Sequence, residues 1–194
     1  MVDRGNWDGP DPTYNFDTTS DLPDPVTPRW SSLYAAEQYG SCPQAVKGLT
    51  YDWSAMNTLV DNMSPAGNTN QAIGLQVGWQ SLVGGGPFVV PPFDPLYQYT
   101  QVIILLTDGL NTQNRWGTSQ TDIDARQAIT CDNIKTALVE LYTIQVNTGG
   151  DPTSTMLQNC ASSTDKFYLL TSADQMTATF NTIGTNLTKL RVAQ

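Results

Sequence analysis

Histidine is absent from this chain of 194 residues, and basic side chains are scarce, with nine Lys and Arg against 18 Asp and Glu. Without imidazole, His-based nucleophile triads, His-ligated zinc and imidazole acid–base chemistry near neutral pH all fall away. The formal net charge of −9 repels phosphate backbones and anionic headgroups, which argues against nucleic-acid and membrane-surface partners. Charged residues together make up 14% of the chain, against a usual level of about 25%. Solubility therefore rests on Thr, Asn, Gln and Ser. This is not the high-charge composition of a disordered chain.

Long apolar runs are missing too. The longest aliphatic stretch, Val102-Ile103-Ile104-Leu105-Leu106, falls far short of the roughly 20 residues of a spanning helix, so no direct membrane insertion is expected. The opening Met1-Val2-Asp3-Arg4-Gly5-Asn6-Trp7-Asp8 has no basic segment followed by an apolar one and does not read as a signal peptide. Three cysteines are an odd number, so at least one thiol lacks a partner within the chain.

The length suits one domain with a real core. Residues 1–50 are dense in Asp, Pro and Thr and show no period, so irregular backbone is expected there, with one short strand at 44–49. From Tyr51 the pattern sharpens. Trp53, Met56, Val60 and Met63 recur at helical spacing, and a second helix follows the polar turn Gly67-Asn68-Thr69-Asn70 as far as about Leu82. In it Leu75, Trp79 and Leu82 form one stripe while Ile73 and Val77 lie nearly opposite, the mark of a buried helix.

Gln101 to Thr107 is a continuous β-branched and aliphatic run, which predicts a strand covered on both faces. A helix over 122–138 follows, with Ile123, Cys131, Ile134 and Leu138 on one side. Then come a strand from Leu141 to Val146, a short helix at 153–159 and a strand at 166–170. Ser172-Ala173-Asp174-Gln175 has the form of a capping box and opens a last helix with the seam Met176, Phe180, Ile183, Leu187 and Leu190. Alternating strands and helices predict an α/β fold, a doubly wound and mostly parallel sheet with helices on both faces.

In such a sheet ligands gather at the carboxyl ends of the strands. The run 101–107 delivers Asp108-Gly109-Leu110-Asn111-Thr112 to that edge, and the turn holding Thr69 opens a helix that could face it. Hydroxyl, carboxylate and water are a hard oxygen set that suits Mg²⁺ or Mn²⁺. The alternative is that Asp108 only makes a turn and Thr69 only caps a helix.

The segments Ser64-Pro65-Ala66-Gly67-Asn68-Thr69-Asn70-Gln71 and Ile103-Ile104-Leu105-Leu106-Thr107-Asp108-Gly109-Leu110-Asn111-Thr112 resemble the second and third elements of the metal-ion-dependent adhesion site of a von Willebrand factor A domain. Gly74-Leu75-Gln76-Val77-Gly78-Trp79-Gln80-Ser81-Leu82, Tyr142-Thr143-Ile144-Gln145-Val146-Asn147-Thr148-Gly149-Gly150 and the tail Ile183 to Arg191 are similar to the C-terminal part of TadG-like pilus-assembly proteins of the bacterial tight-adherence (Flp pilus) system. The likeness covers roughly residues 30–194 and places an A-like domain at 51–194. It implies a non-enzymatic, extracytoplasmic adhesion or interaction module whose partners are protein or cell-surface ligands, including pilus-assembly components. Thr69 matches the family's hydroxyl ligand and Asp108 its acidic ligand.

The family's site also carries an Asp-x-Ser-x-Ser loop after a first central strand, and no such loop occurs here. Asp17-Thr18-Thr19-Ser20-Asp21 lacks a strand before it, and Asp151-Pro152-Thr153-Ser154-Thr155 has the spacing with threonines but follows a different strand. The expectation is a C-terminal portion of something longer. With two protein ligands, a divalent cation such as Mg²⁺ is bound weakly or not at all. The strand at 102–107 must find another neighbour, either residues 1–50 or a second chain, the latter giving self-association through the unpaired edge.

Cys131 and Cys160 are either bridged, which an extracytoplasmic location permits, or two buried thiols. Cys42 is the odd one, without an internal partner. Two other functions stay open. One is a purely structural envelope component with a vestigial site. The other is a metal-assisted hydrolase, but phosphoryl-transfer enzymes of this layout need a second Asp two positions before Asp108, where Leu106 stands.

Overall fold

The computed structural model describes residues 44–83, 88–114 and 117–189. The elements run α1 (Trp53–Asp61), α2 (Gln71–Val83), β1 (Val102–Thr107), α3 (Gln120–Thr136), β2 (Glu140–Val146), α4 (Thr155–Cys160), β3 (Phe167–Leu170) and α5 (Gln175–Lys189). The strands form a parallel sheet in the order β1-β2-β3, with Ile103 beside Leu141 and Val146 beside Leu170. This is an α/β fold with helices on both faces.

Alternation along the strands sorts the core into two clusters. On one face Ile103, Leu105 and Leu141 pack with Leu75 and Trp79 of α2, Ile134 of α3 and Leu157 of α4. On the other, Tyr142, Ile144, Val146 and Leu170 pack against Ile183 of α5, with Met176 and Leu187 at the margin. Every residue of β2 from Leu141 to Val146 is buried, because this strand has neighbours on both sides and on both faces. Its polar side chains are satisfied there. The Thr143 hydroxyl donates to Leu157 O at 2.8 Å, while Gln145 accepts from Ser154 N–H at 2.8 Å and donates to Pro152 O at 3.0 Å.

Local chemistry sets the helix ends. Side chains of Asp52, Ser119 and Ser154 cap α1, α3 and α4 by accepting N–H groups of the first turn. At α5 the Gln175 side chain reaches back to the N–H of Thr171 at 2.8 Å and of Ser172 at 3.3 Å, the glutamine half of the expected capping box. Cys131 and Cys160 are joined by a disulfide with Cα atoms 5.2 Å apart, tying α3 to α4 inside the first cluster.

Four expectations need correction. Residues 44–49 form no strand and are exposed, since nothing described packs against them. Helix α2 is not buried all round: Ile73 is 63% exposed, because only the Leu75–Trp79 side meets the sheet and α3. β1 is covered fully on one face only, and Leu106 on the other is 39% exposed. Leu138 belongs to no core stripe. It follows the α3 cap with φ 60° and is 88% exposed, while its N–H bonds Lys135 O and that of Val139 bonds Ile134 O. That pair of bonds is a Schellman motif, which asks for glycine where leucine stands. Cys42 and Leu190 lie outside the described residues.

Two stability outcomes follow. Leu138→Gly relieves the left-handed backbone and should raise unfolding free energy in urea by about 0.5–1 kcal/mol. Replacing both Cys131 and Cys160 by Ala should lower it by about 3–4 kcal/mol, by opening a loop whose ends are 29 residues apart.

Candidate functional site

The turn before α2 and the turn after β1 are far apart in sequence and meet at the carboxyl rim of the sheet. Two hydrogen bonds hold them together: Thr112 N–H donates to Thr69 O at 2.9 Å, and Thr69 N–H donates to the Thr112 hydroxyl at 2.8 Å. Asn68 and Gln113 side chains add a further hydrogen bond. Thr69 and Asp108 consequently line one cleft of about 610 Å³.

Beneath the turns lies a buried amide network. Asn111 accepts from Gln71 N–H at 2.8 Å, which caps α2 from the opposite loop, and its amide donates to Asp124 and Gln127, each at 2.8 Å. Gln127 Nε2 donates to the Gln71 side-chain oxygen Oε1 at 3.1 Å, and Gln71 Nε2 donates to Gly109 O at 2.9 Å. The Thr107 hydroxyl donates to Gly109 O at 2.9 Å, closing the turn that presents Asp108. Gln71, Asn111 and Gln127 are buried, at 7%, 3% and 0% exposure. Their pairing is the only way such amides survive in a core.

Thr69 is half-buried and Asp108 exposed, both on the cleft wall. Asn70 lines the same cleft, and its buried carbonyl oxygen accepts no hydrogen bond. Hydroxyl, amide and carboxylate oxygens are the donor types a hard cation takes, and Thr69, Asn70 and Asp108 carry one of each on the cleft lining. Among the described residues no group of three or more His, Cys, Asp or Glu could hold a metal. Asp108 is the one ionisable side chain among the described residues lining the cleft, so no acid–base pair stands there.

The other sequence candidates fall elsewhere. Ser154 of the Asp151–Thr155 segment caps α4, and Asp151 is exposed away from the cleft lining. The segment Asp17–Asp21 lies outside the described residues. Burial, aided by the nearby Glu140 charge, raises the Tyr142 hydroxyl pKa, and the Ser163 hydrogen bond lowers that of Asp165. Tyr142 lies in the amino-terminal half of β2 and Asp165 in the turn just before β3, and neither lines the cleft.

Asn70, Gln71, Asn111 and Gln127 were not among the residues singled out in the sequence. One signal was there: Gln127 interrupts the stripe of Ile123, Cys131 and Ile134, so a polar group had to be satisfied in the core.

The sequence matches no protein-family model and no curated protein. Two solved structures of proximal thread matrix protein 1 from the mussel byssus are similar at 20% and 21% identity, with TM-scores of 0.43 and 0.44. A third, with a zinc-occupied MIDAS motif, is 21% identical with a TM-score of 0.43. Each covers 68% of this chain, which spans only 28% of theirs. A likeness of that degree assigns no residue and no activity.

Asn111→Ala should cost about 2–3 kcal/mol in chemical denaturation, because it strands the Gln71 N–H and the Gln127 side-chain oxygen in a buried site. It should also release the Asp108 turn, read as faster amide exchange at Gly109 and Thr112.

Proposed function

We propose that the chain is a non-enzymatic interaction module of von Willebrand factor A type whose working surface is the carboxyl rim of the sheet. The observation that carries this reading is the hydrogen-bonded meeting of the Thr69 and Asp108 turns on one cleft. Thr69, Asn70 and Asp108 would hold a divalent cation such as Mg²⁺, which supplies a positive centre for an oxygen of the partner. The partner is a protein or cell-surface ligand. Membership of a bacterial tight-adherence pilus assembly rests on the sequence resemblance over 30–194 alone. The Cys131–Cys160 bridge supports an extracytoplasmic setting, since such bonds persist in oxidising compartments. No helix among the described residues is long and apolar enough to cross a membrane.

Hydrolysis is disfavoured by the aliphatic Leu106 two positions before Asp108 and by the lone ionisable group in the cleft lining. A second reading, a structural component with a vestigial site, is favoured by the lack of a second acidic side chain beside Asp108 among the described lining residues.

Isothermal titration separates the two. Mg²⁺ or Mn²⁺ should bind with a dissociation constant on the order of millimolar, the weak end for oxygen-ligand sites. Asp108→Ala should abolish that heat and Thr69→Val reduce it. Silence for Mg²⁺, Mn²⁺ and Ca²⁺ on the unaltered chain would remove the cation from this reading and favour a vestigial site.

A further inference from the structure

Gln127 and Cys131 stand one turn apart on the buried face of α3, at 0% and 1% exposure. Each ties the helix to a different part of the fold. Gln127 ends a chain of hydrogen bonds to the rim. It accepts from the Asn111 amide at 2.8 Å and donates to Gln71 Oε1 at 3.1 Å, and Gln71 in turn donates to Gly109 O beside Asp108. Cys131 is bonded covalently to Cys160, the last residue of α4.

α4 is fastened to β2 without help from sulfur. The Thr143 hydroxyl donates to Leu157 O and Ser154 N–H donates to Gln145 Oε1, each at 2.8 Å. Past the helix, Ser162 N–H donates to Leu141 O at 2.9 Å, and the Ser162 hydroxyl accepts from Leu141 N–H at 2.8 Å. Cys160 therefore stands between two attachments to β2, as a fixed post. α3 is gripped less firmly by packing. It supplies Cys131 and Ile134 to the first apolar cluster, whereas Gln127 and Thr130 on its buried face are polar, and polar pairing only replaces bonds to water. Lys135 Nζ also meets Asn159 O at 2.9 Å, but at the surface, where water competes.

A helix rises about 1.5 Å per residue, so the bridge fixes the axis of α3 about 6 Å from Gln127. The two bonds of Gln127 have little slack, since a displacement of about 1 Å along them takes both beyond hydrogen-bonding distance. We propose that the Cys131–Cys160 bridge is the clamp that keeps Gln127 in register with Asn111 and Gln71, so that the Asp108 turn is ordered in the oxidised chain and loosened in the thiol form. Gln127 is then a positioning residue. Closing the bridge takes two electrons and two protons from the Cys131 and Cys160 thiols and passes them to a disulfide oxidant, which leaves as two thiols. Oxidation thereby completes the rim in compartments where disulfides persist. The inference rests on the reading of the rim as the working surface and adds what regulates it.

The test is amide hydrogen exchange on the full chain, oxidised and refolded in a phosphine reductant, with Cys42→Ser to keep the third thiol out of disulfide exchange. Gln71 and Thr112 N–H groups, bonded to Asn111 Oδ1 and Thr69 O, report on the rim. They should exchange at least tenfold faster in the thiol form, against less than threefold for amides of β3, and reoxidation with glutathione disulfide should restore them. In Gln127→Leu, where the relay is already cut, reduction should add less than threefold at the same two amides. Rim amides that speed up no more than those of β3, or a thiol form that does not refold, give the bridge a global role and overturn the proposal. So does a tenfold response to reduction that survives Gln127→Leu. None of these measurements uses a ligand, so a silent metal titration leaves this result standing, and a rim indifferent to the bridge leaves the metal titration standing.

Discussion

The hydrogen bonds between Thr69 and Thr112 join two turns that the sequence holds more than forty residues apart, with the buried Gln71–Asn111–Gln127 amides directly below. Each amide there is shut off from water, so each must find its partner in another element or lose several kcal/mol of hydration without return. The result is mutual: α2 begins where it does because Asn111 caps it, and the turn after β1 holds its shape because Gln71 bonds Gly109 O. The exposed oxygens at the rim are only as ordered as this hidden layer.

The sheet shows a similar division between what is finished and what is open. β2 is enclosed on every side and satisfies even its Thr143 and Gln145 side chains. β1 carries an equally internal composition but, among the described residues, has one partner strand and one fully covered face. Among the described residues no strand pairs with the other side of β1, the strand that ends in Asp108.

Much of this was legible along the chain. The periods of α1, α2, α3 and α5, the two-sided run of β1 and the alternation of β2 identified the elements to within about two residues. Gly67-Asn68-Thr69-Asn70 and Asp108-Gly109 announced turns through ordinary turn chemistry. Two errors share a cause. Ile73 and Leu138 are apolar at plausible spacing, but burial depends on whether another element arrives to cover them, and periodicity carries no information about that.

Sequence alone determined which segments become strands and helices and where a carboxylate would leave a strand, because those follow from short-range sterics and side-chain period. It also closed off imidazole chemistry and set the acidic field. Tertiary structure decided which residues meet: that Gln127 answers Gln71 and Asn111, that the buried Asn70 amide oxygen is left without a hydrogen bond, and that β2 lies between β1 and β3. Hydrogen-bond partners across a fold are fixed by crossover geometry and packing, and neither is written in any local stretch of the chain.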